Sequence, residues 1–154
     1  MSATTRTIGT SAGTAAGREH NHCLICGKRN PWSLGLQFRA DATGQVRAHF
    51  QAHRRLQGYD GILHGGVIAS LLDAAMTHCL FHRDVRAVTG DLHIRFVQPI
   101  SCSARVEIRA QVVLAKSPLY RLRAELCCAG RVMAWAEAKF LQHHAGDSES
   151  EIET

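Results

Sequence analysis

The chain has 154 residues, of which 45% are hydrophobic and 20% are charged. This length is that of one ordinary domain, and this composition excludes a disordered or a fibrous chain. No apolar run approaches the ~20 residues of a membrane-spanning helix. The first 17 residues lack the apolar centre of a signal peptide, so we expect a cytoplasmic protein with no membrane partner.

The net charge of +5 makes nucleic acid the first partner to consider. Residues 143–154 hold four acids and no Lys or Arg, so the rest of the chain is near +9. However, no Lys/Arg run is longer than two, and only 6% of the residues are aromatic and able to stack on bases. We therefore predict no nucleic-acid partner, and dispersed arginines fit a small polyanionic ligand such as a nucleotide-bearing cofactor equally well.

The two ends differ in composition from the middle of the chain. Residues 1–19 are rich in Ser, Thr, Gly and Ala without an apolar period, and residues 143–154 are polar and acidic. We predict a disordered N-terminal tail over 1–19, one domain over 20–142 and an acidic C-terminal tail over 143–154.

Six cysteines in a chain without an export signal are expected to be reduced thiols. Cys23 and Cys26 have the two-residue gap that lets two thiolates converge on one zinc, and His20 or His22 could add nitrogen ligands. No second Cys-x-x-Cys follows in the sequence. We therefore predict a tight loop without a metal, with a zinc site as the alternative.

Alternation of apolar and polar residues predicts the strands. A hairpin is expected first, with apolar positions at 36–38 and 46–50 around the turn residues 41–44. Four further alternating segments follow at 92–96, 106–112, 120–126 and 132–140, separated by turn residues. Their spacing favours an antiparallel meander.

One helix is predicted, from Gly65 to about Phe81, with an apolar stripe at helical spacing. Its only charged residue is Asp73, and the face around Asp73 is small and weakly polar. Such a helix is covered on both sides, by the sheet on one side and by a second chain or a ligand on the other. Together, the predicted strands and this helix indicate an α+β fold in which a curved antiparallel sheet of five to six strands surrounds one long helix.

The start of this helix could stabilise negative charge. Gly65 and Gly66 follow His64 and allow a ligand to approach the backbone, where the first-turn N–H groups lack helical partners. Asp73 lies about two turns further on, some ~10 Å at 1.5 Å per residue. The two features can act together only if a substrate spans a groove between them or a partner subunit supplies one of them.

The run GYDGILHGGVIASLLDAAM, residues 58–76, resembles the hotdog-fold acyl-CoA thioesterases of the phenylacetic-acid-degradation (PaaI-like) branch. In that branch an acidic residue follows the His of an HGG motif by nine positions, as Asp73 follows His64. The segments CLICGKRNPWSLGLQF (23–38) and VTGDLHIRFVQPI (88–100) are similar to the same group. With the later strands, the resemblance covers residues 20–142, and within it Cys23 and Cys26 are similar to a structural loop.

The resemblance implies roles for individual residues. Asp73 would be the catalytic carboxylate, as general base on water or as nucleophile toward the thioester carbonyl. Gly66 would offer its backbone N–H to the thioester oxygen, while Gly65 allows close approach and His64 shapes the turn. The residues implied in groove and coenzyme A binding are Thr89, Gly90, Lys116, Ser117 and Arg121. The family's subunits pair, so each groove would combine the HGG of one subunit with Asp73 of the other, in a homodimer or a tetramer.

The expected activity is hydrolysis of short, medium or aryl acyl-CoA thioesters, with coenzyme A as part of the substrate and no cofactor. Many family members have an assisting Asn, Gln or His before HGG, and His53, Tyr59 and Asp60 show no clear match to it. An alternative is a non-catalytic module that binds acyl-CoA as a sensor or scaffold. A hotdog dehydratase is disfavoured, because its Asp-His motif is not found.

Overall fold

The computed structural model describes residues 14–144 of the chain. The helices are α1 (Ala15–Arg18) and α2 (Gly65–Phe81), with a 3₁₀ turn at Arg54–Leu56. The strands are β1 (Arg39–Ala40), β2 (Val46–Gln51), β3 (Ala87–Phe96), β4 (Arg105–Lys116), β5 (Leu119–Cys128) and β6 (Arg131–Gln142). Helix α1 lies in the segment predicted to be a disordered tail, and the rest of both predicted tails, 1–13 and 145–154, lies outside the described residues.

The six strands form one antiparallel sheet in the order β1-β2-β4-β5-β6-β3. The sheet curves around α2, which packs against β2 through β6. This arrangement confirms the predicted α+β fold with one long helix and six strands. The two edges of the sheet differ, because β1 has only two residues whereas β3 has ten.

Helix α2 has the predicted bounds, and its apolar stripe forms the centre of the core. Leu71, Leu72, Ala75 and Met76 are completely buried against the sheet. Burial of each large side chain stabilises the fold by about 1.5–3 kcal/mol. Packing against the sheet therefore fixes which side of α2 turns away from the core and carries Asp73.

The alternation that predicted β4, β5 and β6 is confirmed by burial, since Ile108, Leu122 and Ala136 turn into the core while Arg121 and Arg123 are exposed. The first strand of the predicted hairpin is shorter and later than expected. The predicted apolar residues Leu36 and Phe38 are buried, but they precede β1. The backbone just before β1 forms hydrogen bonds to an N-terminal loop and not to β2. The bonds run from the Leu34 N–H to the Leu24 carbonyl (2.8 Å) and from the Leu36 N–H to the Ile25 carbonyl (3.0 Å).

Neither helix among residues 14–144 combines the length and the apolar character that crossing a bilayer would require.

Candidate active site around Asp73

Asp73 lies in the middle of α2, half-buried, and is held by a side chain from the sheet. The Thr89 hydroxyl donates a hydrogen bond of 2.7 Å to Asp73 Oδ1. Burial raises the pKa of the Asp73 carboxyl above its usual 3.8, and the bond from Thr89 opposes that rise. The nearby Cys23 and His20 act on the same pKa more weakly, Cys23 raising it and His20 lowering it. The site thus holds a carboxylate that is fixed in position and takes up a proton more readily than an exposed Asp.

A β-bulge at Gly90 turns Thr89 toward the helix. Thr89 pairs with the buried Phe140 of β6, and Asp91 pairs with the next residue, Lys139, so the register shifts by one residue at Gly90. Without the bulge, residues 89 and 91 would share a face of the strand. With it, Thr89 reaches Asp73 while the exposed Asp91 lies 3.5 Å from the Lys139 ammonium on the outer face.

The start of α2 forms a separate polar feature. His64 is the N-cap, and its Nδ1 accepts a hydrogen bond of 2.8 Å from the Gly66 N–H. A Cβ added at Gly66 would lie 3.0 Å from the same Nδ1, so a larger residue would push the imidazole away. The N–H expected to face a thioester oxygen is therefore engaged by His64 in this structure.

The structure brings the candidate residues together as two pairs, Asp73 with Thr89 and His64 with Gly66. Asp73 lies seven positions after Gly66 in the helix, which is about 10 Å at 1.5 Å per residue. One reacting carbonyl cannot contact both groups within a single chain.

Three of the candidate coenzyme A residues, Lys116, Ser117 and Arg121, lie at one end or on the outer face of the sheet. Lys116 is exposed at the end of β4, and the Ser117 hydroxyl in the turn after it donates a 2.7 Å hydrogen bond to Gln142 Oε1. Since Gln142 pairs with Ala87, this turn lies at the end of the sheet where β3 begins. Arg121 lies on the outer face of the sheet, in a cleft of about 270 Å³ shared with Asp91.

The second face of α2 is partly covered by the chain's own N-terminal loop, where the sequence predicted a second chain or a ligand. A cavity of about 180 Å³ is enclosed between the loop and the helix. Its lining residues are His20, Cys23, Leu24, Ile25, Cys26, Ser70, Asp73, Ala74, Thr77 and His78. Two signals in the sequence indicated that this loop is ordered, namely the Cys-x-x-Cys spacing and the resemblance of residues 23–38 to the family.

Comparison with known proteins places this geometry in a family. The family model described as "Thioesterase superfamily" matches residues 60–134, which include both HGG and Asp73. Over these residues, about half of the chain, the protein is similar to the thioesterase superfamily. Its expected resemblance to that superfamily is thereby confirmed, and the match spans α2 together with β3, β4, β5 and the start of β6.

Similar proteins within and around the superfamily agree with this assignment. The rat acyl-coenzyme A thioesterase THEM4 is 33% identical over 75 residues, which are 49% of this chain and 32% of that protein. The chain thus spans about a third of the length of this curated relative.

Two crystal structures share the fold. The thioesterase superfamily protein RHA08564 superposes with a TM-score of 0.74 at 21% identity, over 79% of this chain and 63% of that one. The Escherichia coli PaaI protein from the phenylacetic acid degradation operon superposes with a TM-score of 0.68 at 19% identity, over 72% and 81% of the two chains. The predicted hotdog fold is thereby confirmed, and a PaaI protein is among the structural neighbours of the chain.

Proposed function

We propose that this protein hydrolyses acyl-CoA thioesters and that the Asp73 carboxylate carries the reaction. The observation behind the proposal is the half-buried Asp73 held by Thr89 at 2.7 Å, on the helix of a thioesterase-superfamily fold. A partly desolvated carboxylate that is fixed in orientation suits a general base or a nucleophile. The name of the rat relative supports acyl-CoA as the substrate class.

Two routes follow from a carboxylate at this position. As general base, Asp73 removes a proton from water while the water oxygen bonds to the thioester carbon. As nucleophile, it bonds to that carbon itself, and water then hydrolyses the resulting anhydride. In both routes the carbon–sulfur bond breaks, the sulfur leaves as the coenzyme A thiol after gaining a proton, and the acyl group leaves as a carboxylic acid. Because Thr89 engages Oδ1, we assign the reacting role to Oδ2.

The oxyanion of either route needs a hydrogen-bond donor, and we assign this role to the Gly66 N–H at the positive end of the α2 dipole. That N–H donates to His64 Nδ1 in the structure, so the imidazole must rotate away or share the hydrogen bond when substrate binds. Gly65 lets the thioester approach the helix start closely. In this proposal His64 shapes the turn and does not transfer a proton.

A second copy of the chain would complete the site. Strand β3 is a ten-residue sheet edge, and Val88 and Phe96 near its two ends are each 51% exposed. A long edge with exposed apolar side chains is a surface for pairing with another strand. Pairing of two β3 edges would extend the sheet across two subunits and bring Gly66 of one subunit near Asp73 of the other. We therefore propose a homodimer, or a tetramer made from two such dimers.

The remaining candidate residues would bind the coenzyme A part of the substrate. We propose that Thr89 and Gly90 line the groove, and that Lys116, Ser117 and Arg121 contact coenzyme A. Lys116 and Arg121 are exposed cations without a carboxylate within 4.0 Å among the described residues, and are therefore available to phosphate. Arg121 would act on the outer face of the sheet, where only the portion of coenzyme A furthest from the thioester could reach it.

A second candidate function has one observation in its favour. The Gly66 N–H is already engaged by His64, and a groove with an occupied oxyanion donor suits a module that binds acyl-CoA without hydrolysing it. The decisive experiment incubates the purified protein with acetyl, hexanoyl, decanoyl and phenylacetyl thioesters of coenzyme A and follows free thiol, while calorimetry measures binding. Turnover of at least one thioester supports the hydrolase. Tight binding without thiol release would instead establish the binding module.

A further inference from the structure

The N-terminal loop gathers three metal-ligating side chains at one point. His20, Cys23 and Cys26 each present a ligand atom, and these three atoms all lie within 4.8 Å of one another. A fourth comes from α2, because His78 Nε2 lies 3.3 Å from the Cys26 sulfur. Two sulfurs and two imidazole nitrogens are the donor set of a Cys₂His₂ zinc site.

The loop is folded so that its two thiols converge. The Gly27 N–H donates to the Cys23 carbonyl at 2.9 Å, which closes a tight turn around Cys26. A Cβ at Gly27 would lie 2.5 Å from both the N and the O of Cys23, so only glycine fits there. The Ile25 N–H points at the Cys23 sulfur at 3.3 Å and would stabilise a thiolate. These are features of a loop built to present two sulfurs to one ion.

The histidine from the helix is held in place by packing. His78 is 6% exposed, and its ring stacks on Phe38 with a centroid distance of 4.2 Å and an angle of 24°. Phe81 packs edge-on against both His78 and His20, with centroid distances of 5.1 and 4.6 Å. Fixed ring orientations keep a nitrogen of each histidine directed at the sulfurs, as ligand preorganisation requires.

The distances fit a tetrahedral ion. Zinc bonds of about 2.3 Å to sulfur and about 2.05 Å to nitrogen place neighbouring S and N ligands about 3.6 Å apart. The Cys26 sulfur lies 3.3 Å from His78 Nε2 and 4.0 Å from His20 Nδ1, one slightly shorter and one slightly longer than this value. His20, Cys23 and Cys26 already lie within 4.8 Å of one another, whereas His78 is that close to only part of this group, so the loop and α2 would move closer together when the ion binds.

We propose that His20, Cys23, Cys26 and His78 bind one zinc ion that fastens the N-terminal loop to α2. Four protein ligands fill a tetrahedral ion, so this is a structural site and not a catalytic one. The four ligands line the same cavity as Asp73, so the ion would hold the loop over the side of the helix that carries this carboxylate. The proposal departs from the sequence prediction of no metal, which lacked a fourth ligand because His78 is 52 residues from Cys26.

The test measures metal and does not depend on any enzymatic activity. The full chain is purified under reducing conditions without a histidine tag, and its zinc is counted by elemental mass spectrometry. We expect one zinc per chain, release of that zinc by a thiol-modifying reagent, and replacement by Co²⁺ with the visible bands of tetrahedral cobalt and a sulfur-to-cobalt charge-transfer band.

Variants locate the site. Cys26→Ser and His20→Ala in the loop should lower the zinc content at least tenfold and abolish the charge-transfer band or shift the visible bands. His22→Ala, in the same loop, and Cys102→Ser, elsewhere in the chain, serve as matched controls and should retain one zinc. Titration of the metal-free wild type with Co²⁺ gives the same answer if a variant fails to fold. Absence of bound zinc together with no tetrahedral cobalt spectrum overturns the proposal.

Discussion

The Thr89 hydroxyl donates a 2.7 Å hydrogen bond to Asp73 Oδ1, across the gap between an edge strand and the central helix. The bond exists because the bulge at Gly90 turns Thr89 inward, whereas regular pairing would place it on the face of Asp91. It fixes the carboxylate and favours its ionised form. A strand irregularity therefore controls both the position and the charge of the candidate catalytic group.

Replacement of Thr89 by valine should shift the pH dependence of hydrolysis. The active carboxylate is the ionised one, so kcat/KM falls as the pH drops through the pKa of Asp73. Burial already raises that pKa, and Thr89→Val removes the hydrogen bond that opposes the rise, while Cys23 and His20 still face the group. We expect the acid limb of the kcat/KM profile to move to higher pH. Thr89→Ser keeps the hydroxyl and should keep the wild-type profile, and an unchanged limb in Thr89→Val would refute the role of the bond.

Replacement of His64 by alanine should separate stability from chemistry. The variant loses the N-cap acceptor of α2, which costs about 0.5–2 kcal/mol and lowers Tm by a few degrees. It also frees the Gly66 N–H, so kcat should equal or exceed the wild-type value. His64→Asn restores a capping side chain and should recover Tm. A more than tenfold fall of kcat in His64→Ala, measured well below the Tm of the variant, would show that the imidazole takes part in the reaction.

A charge on the β3 edge should dissociate the oligomer. Val88 is half-exposed on this edge, and Val88→Glu would bury a charge if two edges pair. Sedimentation velocity should show the wild type at dimer or tetramer mass and Val88→Glu at monomer mass, with hydrolysis lost in parallel. Val132→Glu changes a 39% exposed valine on β6 and should leave the mass unchanged. A monomeric wild type with full activity would contradict the shared site.

Mixed subunits test whether one site uses two chains. Gly66→Pro removes the proposed oxyanion donor at a first-turn position where proline is tolerated, and Asp73→Asn removes the carboxylate. Each homo-oligomer should be inactive. If Gly66 and Asp73 act across the interface, a hybrid dimer has one intact site and one doubly defective site, so mixing after reversible denaturation restores activity. Should the hybrids remain as inactive as their parents, the site lies within one chain.

Much of the fold follows from sequence periodicity, because apolar residues repeat at helical spacing over Gly65–Phe81 and at every second position in β4 to β6. The start of β3 could not be predicted, since the bulge at Gly90 interrupts the alternation that defines a strand. The pairing of Thr89 with Asp73 depends on that bulge and was not predicted, because the resemblance implied only that Thr89 lines the groove. Cys26 lies in the N-terminal loop and His78 in α2, 52 residues apart, so no local sequence pattern predicts the contact between them.

The fold shows where some of the excess positive charge of the chain lies. Arg121 and Lys139 are on the outer face of the sheet, and Lys116 is at one end of it. These separate cations suit a small, extended polyanion such as coenzyme A better than a continuous nucleic-acid backbone.

The most direct test of the account is the rate of free-thiol release from the best acyl-CoA substrate by Asp73→Asn. This variant keeps the shape of the side chain and a hydrogen-bond acceptor for Thr89, but it removes the negative charge. Asp41→Asn, at the exposed turn between β1 and β2, is the matched control and should keep the wild-type rate. The account predicts that Asp73→Asn loses about 10²–10⁴-fold in kcat while Tm is maintained. A kcat within about twofold of the wild type would contradict it.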